Sequence, residues 1–287
     1  MKSSNLRKLQ GNSQGNGQGN GQGNGQGNGN PRTIEGTLNE VVVDYEDGSD
    51  ETVFTIDKDD GTSYTTDLTK KWVKDNKVIP SMSRVQVSGL EVANAKVKGA
   101  QAKVINSNSN HPWDRELAER KLTDRSTGTK TVMAVIIQDF SRNAGEQIPS
   151  YTQAALANSV FGSLVGGNDP VNLSSQYKAC SHDQLNFLPT TNRVGVSNNV
   201  DVSDIVDGSM TVTVNTGCTA NTCDGTLHNA ATTAITNAYG QAPNAMATHV
   251  MYCLPPNSMG GIAYANLPGW RSVYKDTWCR SLSGQMQ

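Results

Sequence analysis

The sequence contains no long apolar run: its best candidate, residues 132–137, is far short of the roughly 20 residues needed to span a bilayer, so a membrane-spanning helix is not expected. It also lacks an excess of either charge, with 24 Lys+Arg against 26 Asp+Glu and a net charge of -2. Such a chain has no field for gripping a phosphate backbone, which argues against nucleic acid as a partner. Residues 1–10 contain Arg7 and Lys8 but no apolar core of 7–15 residues, so they do not read as a signal peptide. Residues 1–179 contain no cysteine, and histidine occurs only as His111, His182, His228 and His249. The sole G-x-S-x-G spelling, Gly11 to Gly15, has no strand-turn-helix context, so a nucleophile elbow is not expected there.

The composition shifts along the chain. Residues 11–30 repeat Gln-Gly-Asn-Gly with no apolar or charged side chain, so residues 1–32 are expected to be a disordered low-complexity tether. Short alternating segments follow at 33–45, 51–57, 63–67, 83–93 and 100–105, separated by turn signals such as Glu46-Asp47-Gly48 and Asp59-Asp60-Gly61. They predict a small all-β barrel or sandwich of five strands over residues 33–105. Asp57, Asp59 and Asp60 lack the ligand order and distal Glu of a calcium loop, and a hairpin turn is expected. Residues 106–130 read as a polar linker.

From residue 131 the pattern becomes α/β. The run 132–137 is rich in β-branched residues, as in a strand covered on both faces. Ser150 with Gln153 predicts a helix start that carries Leu156, Val160 and Leu164 before Gly166-Gly167. Segments 185–188, 210–214, 247–254 and 261–266 are expected strands. A helix is expected over 227–239, capped by Thr226 and closed by Gly240.

Cys180, Cys218, Cys223, Cys253 and Cys279 all lie in this second half. Cys218 and Cys223 flank a tight loop, which suits a local disulfide or a pair bridging to other cysteines, and the odd count leaves one thiol over. Asn172-Leu173-Ser174 is a glycosylation sequon, and with the cysteines it points to secretion. A zinc reading would gather Cys218, Cys223 and His228, but no second ligand pair follows at structural-zinc spacing. His249 sits in an apolar strand and reads as a satisfied core residue.

The stretch Gly260-Gly261-Ile262-Ala263-Tyr264-Ala265-Asn266-Leu267-Pro268-Gly269-Trp270, followed by Val273-Tyr274, Asp276-Thr277-Trp278-Cys279 and Gln285-Met286-Gln287, resembles the segment that precedes the zinc helix of gametolysin-type metallopeptidases, which are metzincin-like zincins. The resemblance extends back through 247–254, 177–187 and 151–161 to about Val132 and covers roughly the last 155 residues. It implies that 131–287 is a partial α/β zincin catalytic domain, with the β-module as a propeptide-like or accessory domain. It implies zinc for a complete family member, held by H-E-x-x-H on a helix. No H-E-x-x-H occurs in these 287 residues, so the chain is expected to bind no zinc, to hold no catalytic residue, and to be inactive as written, a chain truncated before its zinc helix. The resemblance also implies an extracellular or cell-wall setting and protein or glycoprotein substrates. In it, Gly261, Ile262, Ala263, Tyr264, Ala265 and Asn266 form the sheet edge on which an extended substrate adds as an antiparallel strand. An ordinary core strand at 261–266, and a non-catalytic extracellular peptide-binding or matrix protein, are the alternative expectations.

Overall fold

The computed structural model describes residues 31–81, 83–92, 95–106, 127–195, 201–267 and 269–285. Residues 1–30 of the expected tether at 1–32, nearly all of the expected linker, and His111 lie outside these residues, while Pro31 and Arg32, expected in the tether, begin the first strand.

The first module is β1 (Pro31–Asp44), β2 (Asp50–Asp57), β3 (Ser63–Thr66), α1 (Lys70–Asp75), β4 (Arg84–Val92) and β5 (Lys96–Asn106). Antiparallel pairing joins β1 to β2, β2 to β3, β5 to β4 and β4 to β1, and a parallel β3–β5 pair closes the ring. This is a five-stranded barrel with the Greek-key order of OB-type barrels. Alternation points Ile34, Leu38, Phe54, Ile56, Val85, Val87 and Val97 inward, and Val73 of α1 plugs one end. β1 serves two neighbours, pairing with β4 over Pro31–Thr37 and with β2 over Thr37–Asp44. At the changeover sits Gly36, where a Cβ would lie 2.3 Å from the Asp57 carbonyl oxygen, so only glycine permits this barrel corner. The Asp59-Asp60-Gly61 segment is a hairpin turn: Gly61 has φ of +82°, and the Asp60 carboxylate accepts from the Thr62 N–H at 2.9 Å.

The second module is β6 (Gly128–Asp139), α2 (Gln153–Phe161), α3 (Leu173–Cys180), β7 (Leu185–Pro189), β8 (Ser209–Val214), α4 (Asp224–Tyr239), α5 (Pro243–Met246), β9 (His249–Leu254), β10 (Ala263–Leu267), β11 (Arg271–Lys275) and α6 (Leu282–Gln285). β6 therefore starts inside the expected linker. It is flanked by β7 and β8 on one side and β9 on the other, all parallel. β11 adds parallel to β9, and β10 adds antiparallel to β11. The β-rich α/β class expected for this half is observed. One sheet face buries Met133, Val135 and Ile137 with Leu227, Ala231 and Ile235 of α4. The other buries Val132, Ala134 and Ile136 with Leu156, Val160 and Phe161 of α2. Because both faces are covered, the run 132–137 is continuously apolar.

Two helix starts differ from expectation. α2 is capped by Thr152, whose hydroxyl accepts from the Ala155 N–H at 3.2 Å, while the Gln153 amide is used elsewhere, donating to the Ser209 carbonyl at 2.8 Å. α4 begins at Asp224 rather than beyond Thr226, with its carboxylate in the first turn, where the helix dipole favours a negative charge.

Candidate peptide-binding edge

β10 lies at the end of the α/β sheet, next to β11, but its outer edge is not open. The second half of β1 occupies it antiparallel, with Glu40 opposite Leu267, Val41 opposite Asn266, Val42 opposite Ala265, Val43 opposite Tyr264 and Asp44 opposite Ala263. The barrel strand thus joins both modules into one eleven-stranded sheet. Of the six residues expected to form the edge strand, Ala263, Tyr264, Ala265 and Asn266 are in β10, whereas Gly261 and Ile262 precede it. Ile262 still takes part, donating its N–H to the Asp44 carbonyl at 2.8 Å. A Cβ on Gly261 would sit 2.6 Å from a Val43 methyl and 2.7 Å from the Asp44 oxygen. The close approach of β1 therefore requires glycine there.

Side chains reinforce the seam. Val41 is fully buried in the core beneath α4, and Val43 and Val53 pack against the same cluster, which includes Tyr264. Arg271 of β11, also fully buried, donates from Nη2 to Asp57 Oδ1 of β2 at 3.1 Å, to Ser63 Oγ at 2.9 Å and to Asn266 Oδ1 at 3.4 Å. Asn266 Nδ2 completes the ring by donating to Asp57 Oδ2 at 2.9 Å. From α4, Asn229 clasps the backbone of Ser63, accepting its N–H at 2.7 Å and donating to its carbonyl at 2.6 Å.

Between these contacts lies a cavity of about 30 Å³, lined by Thr55, Asp224, His228, Tyr264 and Arg271 among others. Thr55 Oγ1, His228 Nδ1 and Arg271 Nε and Nη1 are buried without a protein partner. The cavity is large enough for a water molecule, which such groups recruit. Burial, and then the nearby Arg271 charge, hold the His228 imidazole well below its usual range and so neutral. Burial raises the Asp224 carboxyl, and it pushes the Tyr252 hydroxyl, which shares a 2.7 Å hydrogen bond with Thr232, up to about 12.

A larger cavity of about 510 Å³ opens where β6 and β9 begin, lined by Lys130, Thr131, Phe187, Met246, His249 and Trp270 among others. His249 is part-buried, with Nε2 3.0 Å from Ser272 Oγ, and burial lowers it to about 4. It is hydrogen-bonded within the fold.

Cys218 pairs with Cys223, closing the tight loop with a Cα–Cα distance of 5.9 Å, and Cys253 pairs with Cys279 at 5.6 Å. Cys180 is the free, exposed thiol. The local disulfide removes both thiolates from the Cys218, Cys223 and His228 zinc reading, and no group of three His, Cys, Asp or Glu among the described residues could hold a metal. Asn172, the glycosylation candidate, has a structural role in the fold. It is 4 % exposed and caps α3, its amide nitrogen donating to the Asp169 carbonyl at 2.8 Å while its oxygen accepts from the Ser175 N–H at 3.0 Å. No helix among the described residues is long and apolar enough to cross a membrane, which with two disulfides is compatible with an extracellular protein.

Arg271, Asp57, Asn229 and Asp224 were not legible as a site, since nothing in the local sequence brings 57, 229 and 271 together. An arginine in an otherwise apolar strand, Trp270-Arg271-Ser272-Val273-Tyr274, was the available signal. No protein-family model matches the chain, and no curated protein was found to match it.

Proposed function

We propose that the β10 edge is a docking strand for extended polypeptide, in an α/β domain of the gametolysin-type zinc-peptidase class that works on extracellular or cell-wall proteins. The carrying observation is that β10, the antiparallel strand at the end of an otherwise parallel sheet, already pairs in register with an extended segment, Glu40–Asp44. Main-chain pairing supplies affinity in such docking, and pockets for alternate side chains supply selectivity. The covered position of Val41 and Val43 beside Tyr264 fits that division.

Hydrolysis would require zinc, and these residues do not fit it: the Cys218–Cys223 pair is oxidised and no H-E-x-x-H occurs in the 287 residues. For these 287 residues the reading is therefore peptide capture, and hydrolysis would depend on an H-E-x-x-H helix that they do not contain. The test is to read the natural transcript past Gln287 and assay its product. An in-frame H-E-x-x-H and chelator-sensitive cleavage of extended protein substrates are the expected result. A verified stop at that point, with peptide binding at β10, would replace the peptidase reading by that of a non-catalytic extracellular peptide-binding protein.

A further inference from the structure

The β1 strand has one edge that the barrel does not use. Over Glu40–Asp44 it pairs with β2 on one side only, since its pairing with β4 ends at Thr37. The free side is the one given to β10. Tyr45 donates its N–H to Ser49 across the β1–β2 turn, while the Asp44 carbonyl faces Ile262. By alternation, Val42 and Glu40 also direct their backbone groups at β10, and Val41 and Val43 lie opposite β10 residues as non-hydrogen-bonded pairs.

The seam differs from a core. It combines apolar contact with a polar ring around Arg271, and it leaves four buried polar atoms without protein partners around a small cavity. The polar groups of this ring, Arg271, Asp57 and Asn266 among them, are rehydrated when the interface opens, so opening costs less than exposing an apolar core of the same size. Inter-domain contacts within one chain are expected to allow relative motion unless they are large and wholly apolar, and the polar ring keeps this one from being so.

We propose that the barrel is an exchangeable cover of the β10 edge, and that Glu40–Asp44 is the internal template of its ligand. That ligand is an extended peptide with β-branched apolar residues at alternate positions, in the places of Val41 and Val43, and it competes with β1 for the same backbone groups of β10. The inference rests on the reading of β10 as a peptide-docking strand and adds the ligand's chemistry and the element that regulates access. Gly261 serves both occupants, because either backbone must approach as closely as Asp44 does.

The test uses the full 287-residue chain and a fluorescein-labelled peptide copying residues 39–46. Asn229→Lys removes both hydrogen bonds to Ser63 from the α4 side without touching β10, and Val43→Lys places a charge in the seam from the barrel side. Losing about 1.4 kcal/mol of docking raises the open fraction tenfold. The peptide is accordingly expected to bind each variant about tenfold more tightly than the wild-type chain, and the Ala265 amide should lose hydrogen-exchange protection by the same factor. A peptide with lysine at both template valines should bind neither. Equal peptide affinity for wild type and variants, with protection lost only in the variants, overturns the exchangeable cover and leaves the docking reading standing. Lost protection without peptide binding overturns the docking reading itself. Unchanged protection in both variants shows a fixed domain contact and overturns the cover.

Discussion

Two buried arginines mark two regions of this molecule that are built on opposite terms. Arg142, just after β6, is fully enclosed by its own module: Nε donates to the Glu146 carbonyl at 3.1 Å, Nη1 to Cys218 at 2.8 Å and Nη2 to Asn257 at 3.0 Å. It ties together three loops at the ends of the parallel strands. Arg271 is equally buried, yet only Nη2 is bonded, and its counter-charge Asp57 comes from the barrel. A charge answered wholly within one module, by backbone carbonyls and by the Glu146 carboxylate 3.8 Å away, is a permanent staple. A charge whose partner arrives on another domain makes docking itself the act that satisfies it.

The largest effect is expected from breaking the second arrangement. Asp57→Leu leaves Arg271 buried without its counter-ion and should cost about 3–5 kcal/mol in urea unfolding. Asp57→Leu with Arg271→Met removes both charges and should recover most of that loss, because an apolar pair of similar volume replaces a costly ion pair. If the double variant is as unstable as the single, the bond network rather than the unpaired charge sets the cost.

Arg142→Met should cost less, about 1–3 kcal/mol, since the orphaned acceptors are backbone carbonyls and the Glu146 carboxylate left behind is part-exposed to water. It should leave β10 amide exchange unchanged; faster exchange there would show that the two regions are coupled. Removing the Cys218–Cys223 disulfide, which joins residues at a sequence separation of 5 beside Arg142, should cost about 2 kcal/mol by loop entropy, and the cost should fall when Arg142 is already replaced.

The smallest effects concern pH at the seam, where two groups act with opposite sign. Burial raises Asp224 above its ordinary 3.8, so the native state binds that proton more tightly and the associated stability is lost as pH rises through the raised value. Asp224→Asn should therefore stabilise the protein at pH 7, with the gain fading toward 3.8. His228 lies below its ordinary 6.5, so its contribution is present above 6.5 and lost on acidification. His228→Gln should flatten the acid limb of stability against pH. Urea midpoints measured from pH 4 to 7.5 separate the two.

Much of the fold was legible because its signals are local. Asp-Gly turns demand positive φ, and Gly48 and Gly61 supply it. The run 132–137 had to be covered on both faces to be apolar throughout. The α3 start was hidden by a double meaning, since Asn172 followed by Ser174 and Ser175 spells both a sequon and a capping box, and only the folded chain shows the cap. The candidate site was legible as a strand at 261–266 but not as an occupied one. Occupancy depends on residues 40–44, more than 200 positions away, and on a ring joining 57, 63, 266 and 271.

Composition and periodicity alone determined that this chain makes a small β-module followed by an α/β module, that it lacks the zinc-helix motif, and that its cysteines belong to the second half. Those properties follow from short-range patterning, which alternation and turn chemistry impose on a few neighbouring residues. Only the tertiary structure decided that the modules share one sheet, that β1 fills the edge of β10, and that Asn172 is a cap. The first two depend on which distant backbone groups meet, and hydrogen bonding across a sheet edge is blind to side-chain identity; the third depends on the burial of a side chain whose cap partners, Asp169 and Ser175, are local.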